Sequence, residues 1–204
     1  MDIDERAGHV GVIQSIYQRR AVRAYAPQKL SRAAIEELLL AAVQAPTAMH
    51  LEPWAFVVVQ DKERLRRYSD LAKAMLLDQG RTTDSMVRAR DPHPHGHLAM
   101  LADPGFNIFY DAGTLVVICR KSGGAFADAD CWLAAENLML AATAEGLGTC
   151  CIGFAVAILN TADVKQELGI PDDGAAVAPI IVGVPSATPP SVPRKAPDIL
   201  SWWS

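Results

Sequence analysis

The chain has 204 residues, half of them hydrophobic, with 19 Lys and Arg against 23 Asp and Glu for a net charge of -4. That length predicts one compact domain, residues 1–204, with a sizeable core, and the negative balance excludes nucleic acid as an expected partner because phosphate backbones are repelled over most of such a surface. A mean hydropathy of +0.13 without an apolar run of spanning length excludes a membrane segment and points to apolar surface hidden in an oligomer interface.

The opening residues MDIDERAGHV are acidic and polar where a secretory signal needs a basic start and an apolar run, so a cytoplasmic protein is expected. Val10 to Gln18 can form a short helix, which the stretch RRAVRAYAP leaves, with Pro27 imposing an extended exit. Ser31 then caps the helix SRAAIEELLLAAVQA. Ile35, Leu38, Leu39, Ala42 and Val43 form its buried stripe, Glu36 and Glu37 lie outside it, and Pro46 ends it. After the loop APTAMHLEP, the β-branched and aromatic run WAFVVVQ reads as a buried strand. DKERLRRYSDLAKAMLLDQG returns to a helical period. Residues Arg81 to Gly105, carrying DPHPHGH, read as an irregular excursion or lid.

GTLVVICRK is the next strand. Asp128 to Gly146 forms a long helix closed by Gly146 and Gly148, and TCCIGF follows as a short extended segment. Thr161 starts the short helix of NTADVKQELGIP, stopped by Gly169 and Pro171, and VAPIIVGVP is the last strand. The tail, about residues 185–204, holds five prolines from Pro185 to Pro197, cannot continue a central sheet, and is expected to run over a partner chain. Helices alternating with strands in this order predict an α+β fold with helices on both faces of the sheet.

Cys119, Cys131, Cys150 and Cys151 contain no CxxC spacing and read as small core or lining residues rather than disulfide or zinc ligands. His93, His95 and His97 read as a polar lid tip, since no carboxylate or Cys completes a metal site at ligand spacing, and no metal is expected. Trp202 and Trp203 are too apolar to be left in water and are expected to dock on a partner. Arg64, Arg66 and Arg67 read as solvated helix charge. Arg19, Arg20 and Arg23, and again Arg194 with Lys195, sit at loop junctions where guanidinium forks can converge on a phosphate.

The segments IYQRRAVRAYAP, AAVQAPTAMHLEPWAFVVV, FYDAGTLVVI, AENLMLAATAEGLGTCCIGF and VAPIIVGVPSATPPSVPRK resemble, in order and spacing, those of the nitroreductase family of FMN flavoproteins. The resemblance covers nearly the whole chain outside the Arg81 to Gly105 excursion. It implies a four- to five-stranded mixed or antiparallel sheet, an intertwined homodimer, and FMN held at the interface with NADH or NADPH as electron donor. It also implies that Arg19 and Arg194 hold the FMN phosphate with Arg20 and Lys195 nearby, and that Arg23 lies by the pyrimidine edge of the flavin, where a cation stabilises the charge that develops on reduction. Pro46, Thr47 and Ala48 would cover the flavin of the neighbouring subunit, and Cys151, Ile152 and Gly153 match the segment whose main-chain amide faces flavin N5.

Three positions depart from the family pattern. Ala21 stands where a Ser usually contacts the cofactor, and His50 and Glu52 stand where Asn and Gln precede the Pro-Trp pair. His50 retains a hydrogen-bond donor and can serve as a proton donor, whereas a carboxylate at Glu52 is unfavourable beside a phosphate unless turned away or paired. The implied reaction is ping-pong hydride transfer from NADH or NADPH to a small electrophilic acceptor such as a nitroaromatic, a quinone or an activated alkene. A reductive dehalogenase, a flavin-fragmenting relative and a non-catalytic FMN-binding protein are the alternatives.

Overall fold

The computed structural model describes residues 11–82 and 99–204. The regular elements include, in chain order, α1 Val12–Gln18, α2 Arg32–Ala42, β1 Trp54–Val59, α3 Lys62–Thr82, β2 Thr114–Arg120, α4 Ala127–Ala144, β3 Gly148–Cys151, α5 Val156–Leu159, α6 Ala162–Leu168 and β4 Ala175–Gly183. Short 3-10 turns lie at Ala48–His50 and Gly153–Ala155. Local chemistry sets several ends. The Ser31 hydroxyl accepts the Ala34 N–H at 3.2 Å, and the Asp61 carboxylate accepts that of Arg64 at 2.9 Å, each satisfying an orphan donor of a first turn. Gly146 (φ 72°) after α4 and Gly169 (φ 70°) after α6 take the left-handed conformation that closes a helix.

The four strands form one antiparallel sheet in the order β1-β2-β4-β3. β2 lies inside it and buries both of its faces, which is why LVVIC reads as a continuous apolar run. Leu115, Val117 and Cys119 point to a core shared with Leu65 and Tyr68 of α3, with Ile158 and Leu159 of α5, and with Ile108 and Phe109. Val116 and Ile118 point to a second core, filled by Ile35 and Leu38 of α2 and by Cys131, Ala134, Ala135 and Leu138 of α4. The fold is therefore α+β with helices on both faces, as the sequence pattern predicts.

Pro179 sits inside β4, where a proline removes a ladder donor. It is accommodated because β3 stops beside it: the last β3 pair is Cys151 with Ile180. The Ile152 N–H donates to the Pro179 carbonyl at 2.9 Å, but the reciprocal bond of an antiparallel pair cannot form. The Ile152 carbonyl instead accepts the Ala155 N–H at 3.0 Å and the chain turns into a 3-10 helix. TCCIGF is therefore extended only through Cys151, with Gly153 opening the turn, which corrects the expectation of one extended segment.

Two other boundaries differ from the sequence reading. The first helix starts at Val12 rather than Val10, and α3 continues to Thr82, past the Arg81 at which the excursion was expected to begin. At the other end of that excursion, Leu101 is buried in the first core, and the buried Lys73 amine donates to the carbonyls of Phe106 (2.8 Å) and Asp103 (3.4 Å). His93, His95 and His97 lie outside the described residues.

Candidate active site at the end of β3

Residues 21–26 tie the first arginine cluster to the edge of the sheet. Ala21 bridges Thr149 of β3, the Val22 N–H donates to the Thr149 carbonyl at 2.9 Å, and Tyr25 bridges Pro185. The approach is close enough that a Cβ on Gly148 would lie 2.6 Å from a Val22 methyl, so the packing itself demands glycine there. Arg19 and Arg20 consequently line a cavity of about 770 Å³ together with Gly146, Gly148 and the hydroxyl-bearing Ser186, Thr188 and Ser191.

Within that cavity the two arginines differ. Arg20 folds back, one guanidinium nitrogen donating to the carbonyls of both Tyr17 (2.7 Å) and Arg19 (2.8 Å). Arg19 is held less firmly. Its Nε lies 3.7 Å from a Glu136 carboxylate oxygen on α4, at the outer limit of an ion pair and half exposed, and such a contact contributes only ~0–1 kcal/mol. Arg23 stands further along, its guanidinium 5.8 Å above the ring of Tyr110, which packs edge-on against Phe106.

These cations act on the thiols at the end of β3. Burial pushes the Cys150 thiol up from its ordinary range while the charges of Arg23 and Arg19 pull it down. Burial pushes Cys151 up to about 11, with Cys150 adding to that push and Arg19 opposing it. Arg19, Arg23 and the Cys150–Cys151 pair thus share one electrostatic neighbourhood. Both thiols stay protonated near neutral pH, and all four cysteines are free, as expected of core and lining residues.

The main-chain geometry beyond Cys151 supplies a donor. The Ile152 N–H is bound to Pro179, so the Gly153 N–H, first in its turn, is the amide left without an acceptor among the described residues. An added Cβ at Gly153 would meet nothing within 4 Å. A free N–H two residues beyond thiols that feel two guanidinium charges suits an anionic ligand with a hydrogen-bond acceptor on its body.

The remaining expected site residues are not brought to this spot within one chain. Pro46, Thr47, Ala48 and His50 lie at the N-terminal end of α4, where the Ala48 N–H donates to the buried Asp130 carboxylate, 3.3 Å from each oxygen, whereas the cavity that Arg19 lines is bounded by Thr143 and Gly146 at the other end of that helix. Ile152 and Ala155 pack into the core on the opposite face of the sheet. The loop carries three non-glycine residues at positive φ, Met49 (54°), His50 (53°) and Glu52 (43°), each costing ~1–3 kcal/mol. Arg194 and Lys195 are exposed and do not line the cavity. Asp130, Glu136, Tyr110 and Pro179 are participants that the sequence reading missed. The only signal among them was Pro179 interrupting an apolar run. Among the described residues no group of His, Cys, Asp or Glu is arranged to hold a metal ion.

Comparison with known proteins identifies the family. Residues 16–184 match the model of the nitroreductase family. Over 174 residues the chain is 28% identical to a putative NADH dehydrogenase/NAD(P)H nitroreductase of Archaeoglobus fulgidus, covering 85% of this chain and 84% of that one. It is 27% identical over 188 residues to an FMN reductase (NADPH) of Bacillus subtilis, covering 90% and 71%. The crystal structure of a Bacteroides fragilis nitroreductase with bound FMN superposes with a TM-score of 0.76 at 25% identity, covering 95% of this chain and 99% of that one. The chain belongs to the nitroreductase family of FMN-dependent NAD(P)H oxidoreductases.

Proposed function

We propose that the protein binds FMN along the end of β3 and uses it to pass electrons from NADH or NADPH to a small electrophilic acceptor, such as a nitroaromatic, a quinone or an activated alkene, in a ping-pong cycle. The observation that carries this reading is the unpartnered Gly153 N–H, which lies just beyond the Cys150 and Cys151 thiols that feel the charges of Arg19 and Arg23. The donor set fits the cofactor: a guanidinium for a phosphate, a main-chain amide for a ring nitrogen, and no side chain to block the ring. When bound, FMN supplies hydride transfer, the step that no side chain here can perform.

The protein's part is position and charge. Arg19, joined by Arg20 and by the tail residues Arg194 and Lys195, anchors the phosphate. Arg23, steadied over Tyr110, supplies a fixed positive charge at the pyrimidine edge. Gly153 orients the ring through its amide, flanked by Cys151 and Ile152. Pro46, Thr47, Ala48 and His50 lie at the far end of α4 from the cavity that Arg19 lines, so in this reading they reach a flavin from a second copy of the chain. His50 is then the available proton donor. Ala21 contributes backbone only, so the phosphate grip leans on the arginines.

The homodimer this requires is supported by unpartnered apolar surface. Val12, Ile13, Ile16 and Tyr17 of α1 are half or more exposed, Trp132 and Leu133 of α4 nearly half, and Trp202 and Trp203 almost wholly so. The reading treats the chain as one domain with an excursion at about 81–105 and a tail at about 185–204 that embraces the partner. Among the described residues no helix is long and apolar enough to cross a membrane. Four free cysteines suit a reducing compartment, here taken to be the cytoplasm.

Anaerobic mixing of purified protein with NADH and with NADPH tests the reading. Yellow protein whose absorbance bleaches with at least one donor, and recovers on adding a quinone, is the expected result. Protein that neither carries nor takes up FMN would refute it, and bound FMN that neither donor reduces would favour a binding protein.

A further inference from the structure

Asp130 is a buried carboxylate, 5% exposed, in the first turn of α4. Its partner among the described residues is the Ala48 N–H, 82 positions away in sequence and 3.3 Å from both carboxylate oxygens. The segment it grips is the one that departs furthest from relaxed backbone geometry: Met49, His50 and Glu52 all lie at positive φ, and the Leu51 N–H closes the turn on the Ala48 carbonyl at 3.2 Å. A turn held in the left-handed region persists only when its surroundings over-determine it. Here a desolvated carboxylate pulls the turn's first amide inward, which leaves Met49 and His50 projecting outward, exposed.

We infer that Asp130 is a positioning residue for flavin access: through Ala48 it fixes the strained 46–52 loop in the conformation that covers the ring bound by the neighbouring protomer. This rests on the reading of that loop as the flavin cover. The loop has few other restraints. Pro46, Met49 and His50 are exposed, and Thr47, which enters the turn, makes no side-chain cap. Losing the Asp130 contact frees the loop to relax without disturbing Arg19 or Gly153.

Two substitutions remove the contact from opposite ends in the FMN-loaded protein. Asp130→Ala deletes the acceptor. Ala48→Pro deletes the donor, and Thr47, at φ -130° and ψ 148°, already has the extended conformation a following proline requires. Each is expected to raise iodide quenching of bound-flavin fluorescence at least threefold, to raise the acceptor KM about five- to tenfold with kcat within twofold, and to speed hydrogen exchange across residues 45–52. Asp130→Asn keeps an oxygen for the Ala48 N–H and should stay within twofold of wild type. If Asp130→Ala does not fold, Ala48→Pro decides alone. Wild-type quenching and KM in every folded variant of the two would overturn the role of Asp130, even with a lower melting temperature. Replacing Ala48–His50 by three glycines separates this from the underlying reading. If that variant also leaves quenching unchanged, the loop is not the cover; if it alone raises quenching, the loop is the cover and Asp130 does not position it.

Discussion

Gly153 allows the site to be probed by removing one hydrogen atom. Gly153→Pro deletes the free N–H and little else. The residue opens its 3-10 turn, a place where proline's missing donor and fixed φ are tolerated. Ile152 before it sits at φ -109° and ψ 81°, outside the helical region that a following proline disfavours. An added Cβ meets no atom within 4 Å. The fold should therefore bear the change, and the reduced freedom of the unfolded chain offsets residual strain by ~0.4–1 kcal/mol. The melting temperature is expected to stay within about 3 °C of wild type, since 1 kcal/mol shifts it by ~2–4 °C at this size.

Function should respond differently. One neutral hydrogen bond to the ring contributes ~0.5–1.5 kcal/mol, so FMN affinity is expected to fall roughly two- to tenfold. The rate of reduction by the preferred nicotinamide, followed anaerobically by stopped-flow absorbance, should fall more, because a donor aimed at a reacting centre acts on the transition state as well as on binding. Gly153→Ala is the control: it keeps the N–H and adds a comparable carbon. Should the proline and alanine variants match in affinity and in reduction rate, the amide is not a donor to the flavin. A proline variant that loses more than about 8 °C would instead refute the account of how Pro179 and Ile152 create the turn.

Other expectations follow from the same contacts. Arg19→Ala should weaken FMN binding by ~1.5–3 kcal/mol on titrating the apoprotein, the scale of a charge-assisted bond to phosphate, whereas Arg64→Ala, which loses only a surface pair with Glu167, should leave it unchanged. Asn160→Ala should lower stability by ~2–4 kcal/mol in urea unfolding, because its amide both donates to the Ala176 carbonyl and accepts the Ala176 N–H at 2.9 Å, joining the end of α5 to β4, and its loss strands both buried groups. Cys119 and Cys131 are pushed up to about 12, chiefly by burial. With folded values above the unfolded one, their contribution is intact below about pH 9 and is lost as pH rises towards 12, by ~2–3 kcal/mol per thiol at pH 11. Cys119→Ala should flatten the fall in urea midpoint between pH 9 and 11.

The architecture was legible because its signals are local. Ser31, Gly146 and Gly169 mark helix ends by side-chain or backbone chemistry that needs no tertiary context, and LVVIC announces a strand buried on both faces. The arginines stood out by residue type as candidate phosphate ligands, but their unequal states did not. Arg20 turns one guanidinium nitrogen onto its own backbone while Arg19 leans on Glu136, a contact that depends on where α1 meets α4. Asp130 was invisible for the same reason: in sequence it is one acid among several at a helix start, and its grip on Ala48 exists only once α2 and α4 share a core.

Pro179 illustrates the limit most plainly, because its local rule points the wrong way. A proline in an apolar run argues for an edge strand, yet β4 lies between β2 and β3. The rule holds only for the backbone side that must donate, and Pro179 faces a neighbour that has already ended. Its missing N–H leaves the Ile152 carbonyl free to start the turn, and the turn leaves the Gly153 amide free for a ligand. A central-strand proline and a vacant amide just past the preceding strand in sequence are thus one feature of the backbone. Pro179→Ala would restore the ladder donor and let β3 extend by a pair. Such a variant should be at least as stable in urea as wild type but bind FMN more weakly, because Ile152 would be drawn into the sheet and Gly153 with it. Unchanged FMN affinity with raised stability would mean that the turn at Gly153 is set by its own sequence rather than by Pro179.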